Sequence, residues 1–116
     1  EMPAAKVPEH FRHRHGWVEI AGPDGTVVSR GFRFGLYLQA PETFYPAHCH
    51  EAEELYLVLS GTAEWQAGDD DVSSKPPGSL AHHRPWQAHA MRTLSDPLLA
   101  LWAWSGAIGH DSYRMV

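Results

Sequence analysis

The sequence predicts a single all-β domain, built as a sandwich or a closed barrel. From Trp17 onward, short apolar stretches alternate with Gly and Pro turn signals at close spacing. No segment of about 12 or more residues keeps the 3.6-residue period of an amphipathic helix. With 116 residues the chain has the size of one domain. We therefore expect roughly eight or nine strands, which a barrel can close without exposed edges.

The first part of the chain predicts a hairpin followed by a strand with two unlike faces. Residues 17–21 and 26–30 flank Gly22-Pro23-Asp24-Gly25, a sequence that favours a tight turn. Residues 32–39 then alternate Phe or Leu with Arg, Gly, Tyr or Gln, which is the period of two expected of a strand. Two prolines interrupt the pattern after this strand.

The second part of the chain predicts five more strands. Residues 54–60 place three leucines on one face, and Ser60-Gly61 predicts a turn into residues 62–66 as a second hairpin. The polar, turn-rich segment 68–77 is expected to be an exposed connection whose three aspartates are simply solvated. Residues 79–83, 87–93 and 98–105 complete the series.

Charge, hydropathy and cysteine content exclude several classes of function. The net charge of −5 leaves no basic surface for nucleic acid. The longest apolar run, residues 98–104, is far shorter than the roughly 20 residues that span a bilayer, so we expect no membrane partner. Cys49 is the single cysteine and is expected to be a small buried side chain. A reducing cytoplasm is therefore the default location.

Residues 1–16 form an N-terminal arm ahead of the barrel, which we expect to span residues 17–116. The arm is rich in histidine and arginine, and we interpret it as a solvated basic segment rather than a second metal site. Because the chain starts at Glu1 rather than Met, we expect the arm to be flexible or truncated, and the sequence to be part of a longer chain.

Three residues in the middle of the chain have the spacing of metal ligands. His48 and His50 are two apart, so on a strand both side chains point to one face. Glu54 follows four residues later and shares its face with Tyr56. A buried unpaired glutamate is costly, whereas a bound cation compensates its charge. Imidazole and carboxylate ligands suit one divalent transition metal, such as Fe, Mn, Zn, Ni or Cu.

The remaining ligand has to come from a distant strand. His89 lies in a predicted strand, so we assign it as the ligand, with His82 or His83 as alternatives. These two are adjacent, so at most one of them faces inward. His-x-His alone is typical of two partly exposed residues on an edge strand, and it is Glu54 and Tyr56 that favour a metal site.

The motif around these residues resembles that of the cupin superfamily, which implies a jelly-roll barrel, the double-stranded β-helix. His48, His50, Glu54 and Gly61 match the first cupin motif, HxH, three residues, E, six residues, G. Pro77, Gly78 and His89 resemble the second motif, although Gly78 and His89 are further apart than usual and the terminal Asn is absent. This departure keeps His82 and His83 open as ligands.

The chain from Gly31 onward is similar to the cupin-type dimethylsulfoniopropionate lyases, through the segments 45–56, 89–93 and 97–106. The resemblance implies that the metal binds the carboxylate of a small-molecule substrate and that a tyrosine removes the adjacent proton. Dimethyl sulfide then leaves and acrylate remains. The family tyrosines match Tyr56, our first choice of base, and Tyr45. Trp104 matches a tryptophan expected to bind the sulfonium through cation–π contact.

Two other functions remain open at this point. A metal-dependent oxygenase would consume oxygen together with its substrate, and a non-catalytic cupin would bind a small ligand between tyrosine walls. The face formed by Leu55, Leu57 and Leu59 points away from the proposed ligands. A second sheet, the N-terminal arm or a homodimer partner could cover this face.

Overall fold

The computed structural model describes residues 9–116, in which β-strands are by far the commonest regular structure. A four-residue helix, α1 (Glu9–Arg12), precedes eleven strands, and a 3-10 helix (His110–Ser112) precedes the last of them. The strands are β1 (His15–Gly22), β2 (Val27–Val28), β3 (Phe32–Gln39), β4 (Phe44–Cys49), β5 (Glu53–Ser60), β6 (Ala63–Ala67), β7 (Ser73–Lys75), β8 (Leu80–His83), β9 (His89–Thr93), β10 (Leu98–Ser105) and β11 (Arg114–Met115).

The strands form two sheets. The six-stranded sheet has the order β2-β1-β3-β10-β5-β8, and the five-stranded sheet has the order β11-β4-β9-β6-β7. Side chains from the inner face of each sheet form one core that is dominated by aromatic rings. Its largest fully buried members are Trp65, Trp102, Tyr37, Tyr45, Tyr113, Phe11, Met91 and Leu98. The expected all-β barrel is confirmed.

Neither predicted hairpin is correct. The antiparallel partner of β1 is β3, whereas the two residues of β2 lie parallel to the end of β1. Arg33 ion-pairs with both Glu19 and Asp24, which holds the turn after β1 against the sheet instead of extending it into a hairpin. The second turn, at Gly61, leads from β5 in one sheet to β6 in the other. A Cβ at Gly61 would lie 2.0 Å from the carbonyl oxygen of Pro97, so this crossing requires glycine.

Burial shows which face of each strand points into the barrel. In β3 the buried side is the more polar one, with Arg33, Tyr37 and Gln39, while the alternating Phe and Leu residues point outward. In β5 the buried residues are Glu54, Tyr56 and Val58. The interior of the barrel is therefore lined in part by polar and ionisable side chains.

Part of the expected N-terminal arm is packed against the barrel. Phe11 of α1 is fully buried, stacked on Tyr45 with ring centroids 4.1 Å apart, and β1 begins at His15, inside the segment expected to be an arm. The first eight residues of that arm lie outside the described residues. Within residues 9–116, no helix has the length and apolar character needed to cross a membrane.

Candidate metal centre

Strand register brings the candidate ligands together at one end of the barrel interior. His48 on β4 is directly opposite His89 on β9, in the five-stranded sheet. Glu54 on β5 lies between Trp104 on β10 and His83 on β8, in the six-stranded sheet. Because the two sheets face each other across the core, residues far apart in sequence meet around the Glu54 carboxylate.

Three of the four proposed ligands form a buried group. Ligand atoms of His50, Glu54 and His89 all lie within 4.8 Å of one another. Glu54 Oε1 is 3.4 Å from Nε2 of His50 and 3.0 Å from Nε2 of His89. Two ligands bound to one metal at about 2.1 Å lie roughly 3.0 Å apart at an octahedral angle and 3.4 Å apart at a tetrahedral one. The observed spacing is therefore that of neighbouring ligands.

The histidines are oriented as metal ligands usually are. Nδ1 of His48, His50 and His89 lies 2.8, 2.9 and 2.9 Å from the backbone carbonyl oxygens of Pro46, Ala52 and Gln87, respectively. When Nδ1 carries the proton and donates it to a carbonyl, Nε2 keeps its lone pair for a cation. Nε2 of His89 is buried and has no hydrogen-bond partner among the described residues. The donor set therefore fits a divalent transition metal.

His48 is adjacent to this group but is not a member of it. Its ring stacks on Tyr45 with centroids 3.7 Å apart and meets the ring of His89 edge-on at 4.1 Å. Burial, together with the neighbouring His89, holds the pKa of His48 well below its usual value, so the ring is neutral. A neutral imidazole beside the cluster can serve as a further ligand, and its coordination stays a prediction.

Glu54 is the acceptor on which the centre converges. Its side chain is buried, and the indole Nε1–H of Trp104 donates to Oε2 over 2.7 Å. Burial by itself raises the pKa of a carboxyl group, but the surrounding imidazoles of His50, His83 and His89 hold the pKa of Glu54 well below its usual range. The carboxylate is therefore charged, as a metal ligand must be.

The two proposed catalytic tyrosines are buried beside this centre. Tyr56 lies on the same face of β5 as Glu54, and burial followed by the Glu54 charge raises the pKa of Tyr56 well above its usual value. Burial, with Tyr113 second, raises the pKa of Tyr45 in the same way. The protein alone therefore keeps both phenols protonated, and only added positive charge can make either one a base.

Trp104 contacts the centre directly. Its ring lies 4.3 Å from that of His50, in addition to its hydrogen bond to Glu54. The structure thus gives Trp104 a role that the sequence did not suggest, which is to position the carboxylate.

Sequence reasoning kept one further residue of the centre only as an alternative ligand and missed another. His83 is 1% exposed, stacks on His89 with centroids 3.8 Å apart, and places Nδ1 3.2 Å from Glu54 Oε1. The sequence considered it only as an alternative to His89, although strand alternation in β8 points it inward and His82 outward. The hydroxyl of Tyr113 hydrogen-bonds with that of Tyr45. Tyr113 lies beyond the recognised motifs, and no sequence signal could have found it.

The space beside the cluster is small. A cavity of about 10 Å³ is lined by Trp17, Tyr37, Tyr45, His48, His50, Glu54, Tyr56, Trp104 and Tyr113. This volume holds at most one water molecule. A substrate can reach the centre only when a lining side chain moves.

A second group of potential ligands lies away from the centre. Glu19, Asp24 and His110 also have ligand atoms within 4.8 Å of one another. Arg33 donates to Glu19 over 2.6 Å and to Asp24 over 2.9 Å, so a guanidinium already occupies the space between these carboxylates and compensates part of their charge. We interpret this group as an ion-pair network that anchors the first turn.

The barrel has the fold of a cupin. A solved cupin-like protein from Thermotoga maritima has the same fold, with a TM-score of 0.70 and 13% identity over 88% of this chain and 75% of that chain. The chain belongs to the dimethylsulfoniopropionate lyase family, whose model matches residues 2–100.

Two members of this family show how much of the chain is shared. Dimethylsulfoniopropionate lyase DddQ of Ruegeria pomeroyi is 38% identical over 102 residues, which cover 88% of this chain and 51% of the relative. A chain from the crystal structures of the DMSP lyases RdDddP and RnDddQII has a TM-score of 0.87 and 36% identity, covering 100% of this chain and 60% of that one. The present chain thus spans about half the length of the curated relative it matches.

Proposed function

We propose that the chain carries out β-elimination of dimethylsulfoniopropionate to dimethyl sulfide and acrylate. Family membership supports the substrate. The observation that carries the reaction type is the buried Glu54, which lies between His50 and His89 and shares a strand face with Tyr56. This arrangement combines a site for a cation with a phenol that can accept a proton.

The metal site in this proposal consists of His50, Glu54 and His89, with His48 as the adjacent fourth ligand. Fe, Mn, Zn and Ni all suit these donors, and the choice among them follows availability as well as geometry. When bound, a divalent metal supplies positive charge that holds the substrate carboxylate and favours the phenolate form of Tyr56.

In this proposal, Tyr56 and Tyr45 carry out the proton transfer. Tyr56 accepts the proton alpha to the carboxylate, and the electrons of that C–H bond form the new carbon–carbon double bond. The carbon–sulfur bond breaks, and its electron pair leaves on sulfur as neutral dimethyl sulfide. Tyr45, stacked on His48 and hydrogen-bonded to Tyr113, is the second tyrosine at the centre and assists the transfer.

Trp104 is the proposed contact for the positive sulfonium group. Its indole is electron-rich, and a cation over such a ring gains roughly 0.5 to 2 kcal/mol. The ring is 3% exposed and packs against His50, so this contact forms only after the small cavity opens.

The test is to reconstitute the protein with each metal, add dimethylsulfoniopropionate and measure dimethyl sulfide in the headspace. Tyr56→Phe removes the base and His89→Ala removes a ligand, so both are expected to abolish release. His82→Ala is the matched control, because His82 is exposed and pairs with Glu53 outside the centre. Metal content, measured by elemental analysis, should fall in His89→Ala and stay unchanged in Tyr56→Phe.

Three outcomes would contradict the proposal. Absence of dimethyl sulfide with Fe, Mn, Zn and Ni alike would refute the lyase activity. Undiminished release by Tyr56→Phe would refute the proposed base. Oxygen uptake that depends on added substrate would instead indicate an oxygenase.

A further inference from the structure

The outer face of the six-stranded sheet is covered by apolar side chains. One row crosses five neighbouring strands in register, formed by Val18, Leu36, Leu101, Leu57 and Leu80. A parallel row contains Phe34, Ala103 and Leu55. Further apolar residues on the same face are Phe32, Leu38, Leu59 and Leu99. We call these twelve residues the outer apolar face.

The other sheet of the barrel shows that this feature is not general. On the outer face of the five-stranded sheet, one row across four strands contains Phe44, Arg92, Glu64 and Ser74. Arg92 lies over the Phe44 ring at 4.4 Å, and its neighbour in the row is an acidic residue. One sheet is thus built for contact with water and the other for contact with an apolar surface.

Nothing within the described residues covers the outer apolar face. The five-stranded sheet packs on the opposite side of β3, β5 and β10, and α1 inserts Phe11 beside Tyr45 in the core. Six members of the face keep about half of their surface exposed: Val18 53%, Phe32 44%, Leu38 50%, Leu55 41%, Leu59 42% and Leu80 57%. The sequence allowed a second sheet, the N-terminal arm or a homodimer partner to cover this face. The structure excludes the second sheet and the described part of the arm.

The size of the face matches what an interface needs. With about 150–200 Å² for a whole Val, Leu or Phe, the six exposed members alone present on the order of 500 Å², as large as the largest patches on ordinary monomers. With the less exposed members, the total approaches the roughly 800 Å² that each partner contributes to a stable complex. A hollow of about 450 Å³, lined in part by Phe32, Leu55 and Ala103, gives a partner's side chain a place to insert.

We infer that a second copy of this chain occupies the outer apolar face, forming a two-fold dimer through face-to-face packing of the six-stranded sheets. A two-fold contact places the same surface on both sides, so it requires self-complementarity. Apolar side chains meet this condition, because no charge has to find an opposite charge. At the edge of the face, the polar side chains of Glu53 and His82, with atoms 2.5 Å apart, already bond to each other within one copy. Two twisted sheets stack in this manner at a small angle.

The test measures the mass of the chain in solution by sedimentation velocity and light scattering. The unmodified chain is expected to sediment as a dimer and to dissociate on dilution over a roughly hundredfold concentration range. Leu55→Lys, on the outer apolar face, should shift the mass to that of a monomer. Phe44→Lys is the matched control, because Phe44 is 38% exposed and Leu55 41%, but Phe44 lies on the other sheet. The control should remain a dimer.

A monomeric mass of the unmodified chain at every concentration would overturn the inference and assign the face to a different partner. Equal dissociation of Leu55→Lys and Phe44→Lys would also overturn it, because the effect would then not be specific to this face. The dilution series needs no variant, so the test stands even if Leu55→Lys fails to fold. The inference is independent of the lyase proposal, since mass is measured without substrate.

Discussion

Replacing Trp104 by Phe is expected to weaken metal binding while preserving the fold. The indole Nε1–H donates to Glu54 Oε2 over 2.7 Å, with both side chains 3% exposed. Phe keeps most of the ring volume but has no donor. A hydrogen bond to a charged group contributes about 1.5–3 kcal/mol, and loss of a residue that orients a ligand lowers metal affinity by roughly 10- to 100-fold. We expect a loss within this range.

The assay is a competition titration, in which a coloured chelator and the protein share a limiting amount of Zn²⁺ or Co²⁺. Trp102→Phe is the matched control, since Trp102 lies on the same strand and face and donates its Nε1–H to the backbone oxygen of Leu36 over 3.0 Å. This control also loses a hydrogen bond but should keep its metal affinity. Circular dichroism of both variants verifies the fold.

Two results would refute the reasoning. Unchanged affinity in Trp104→Phe would mean that the indole does not hold the carboxylate. Equal weakening in Trp102→Phe would mean that any disturbance of β10 reaches the centre. Substrate binding separates the two roles of Trp104, because loss of the cation–π contact raises KM without releasing metal.

Three further predictions concern stability. A Cβ at Gly35 would lie 1.8 Å from the backbone oxygen of Val18, so Gly35→Ala should cost about 1–3 kcal/mol in urea unfolding, whereas Gly16→Ala, which meets nothing within 4 Å, should cost much less; equal costs would contradict the close approach of β1 and β3. Burial lowers the pKa of His110 from 6.5 to about 4, so as the pH falls the unfolded chain binds a proton before the folded chain does. The contribution of the neutral His110 to the free energy of unfolding should therefore be complete above pH 6.5 and decrease as the pH falls towards 4. The loss is about 1–2 kcal/mol after allowance for its partial exposure, and a pH dependence unchanged by His110→Gln would exclude this source. Bound metal at a free concentration of 100 times its dissociation constant adds about 2.7 kcal/mol to the free energy of unfolding, so a chelator should lower the unfolding temperature of the reconstituted protein accordingly. His50→Ala should unfold at the same temperature with and without the chelator.

Most of the centre could be read from the chain because its ligands are close together in sequence. His50 directly follows β4 and Glu54 is the second residue of β5, so the short turn between the two strands brings them together. The ligand from the distant strand had to be chosen among several histidines, and His89 was chosen because it lies in a predicted strand. The structure brings these three together and leaves His48 beside them, in contact with Tyr45 and His89.

The pairing of strands could not be predicted in the same way. The sequence marks where a strand ends, but the energy that selects its partner comes from packing across the core and from sheet register. Both predicted hairpins were wrong for this reason, since an ion pair of Arg33 redirects one turn and the approach of Gly61 to Pro97 redirects the other. The inward position of His83 and Tyr113 likewise depends on neighbours that are remote in the chain.

The sequence by itself determined the all-β class, the family and the chemical character of the site, because these depend on local periodicity and on the type and spacing of side chains. Only the tertiary structure decided how the strands divide between two sheets, that His83 contacts Glu54, and that Trp104 donates to Glu54. It also decided that a complete row of leucines and valine remains on the outside of one sheet. These features arise from contacts between distant segments, and no local pattern encodes them.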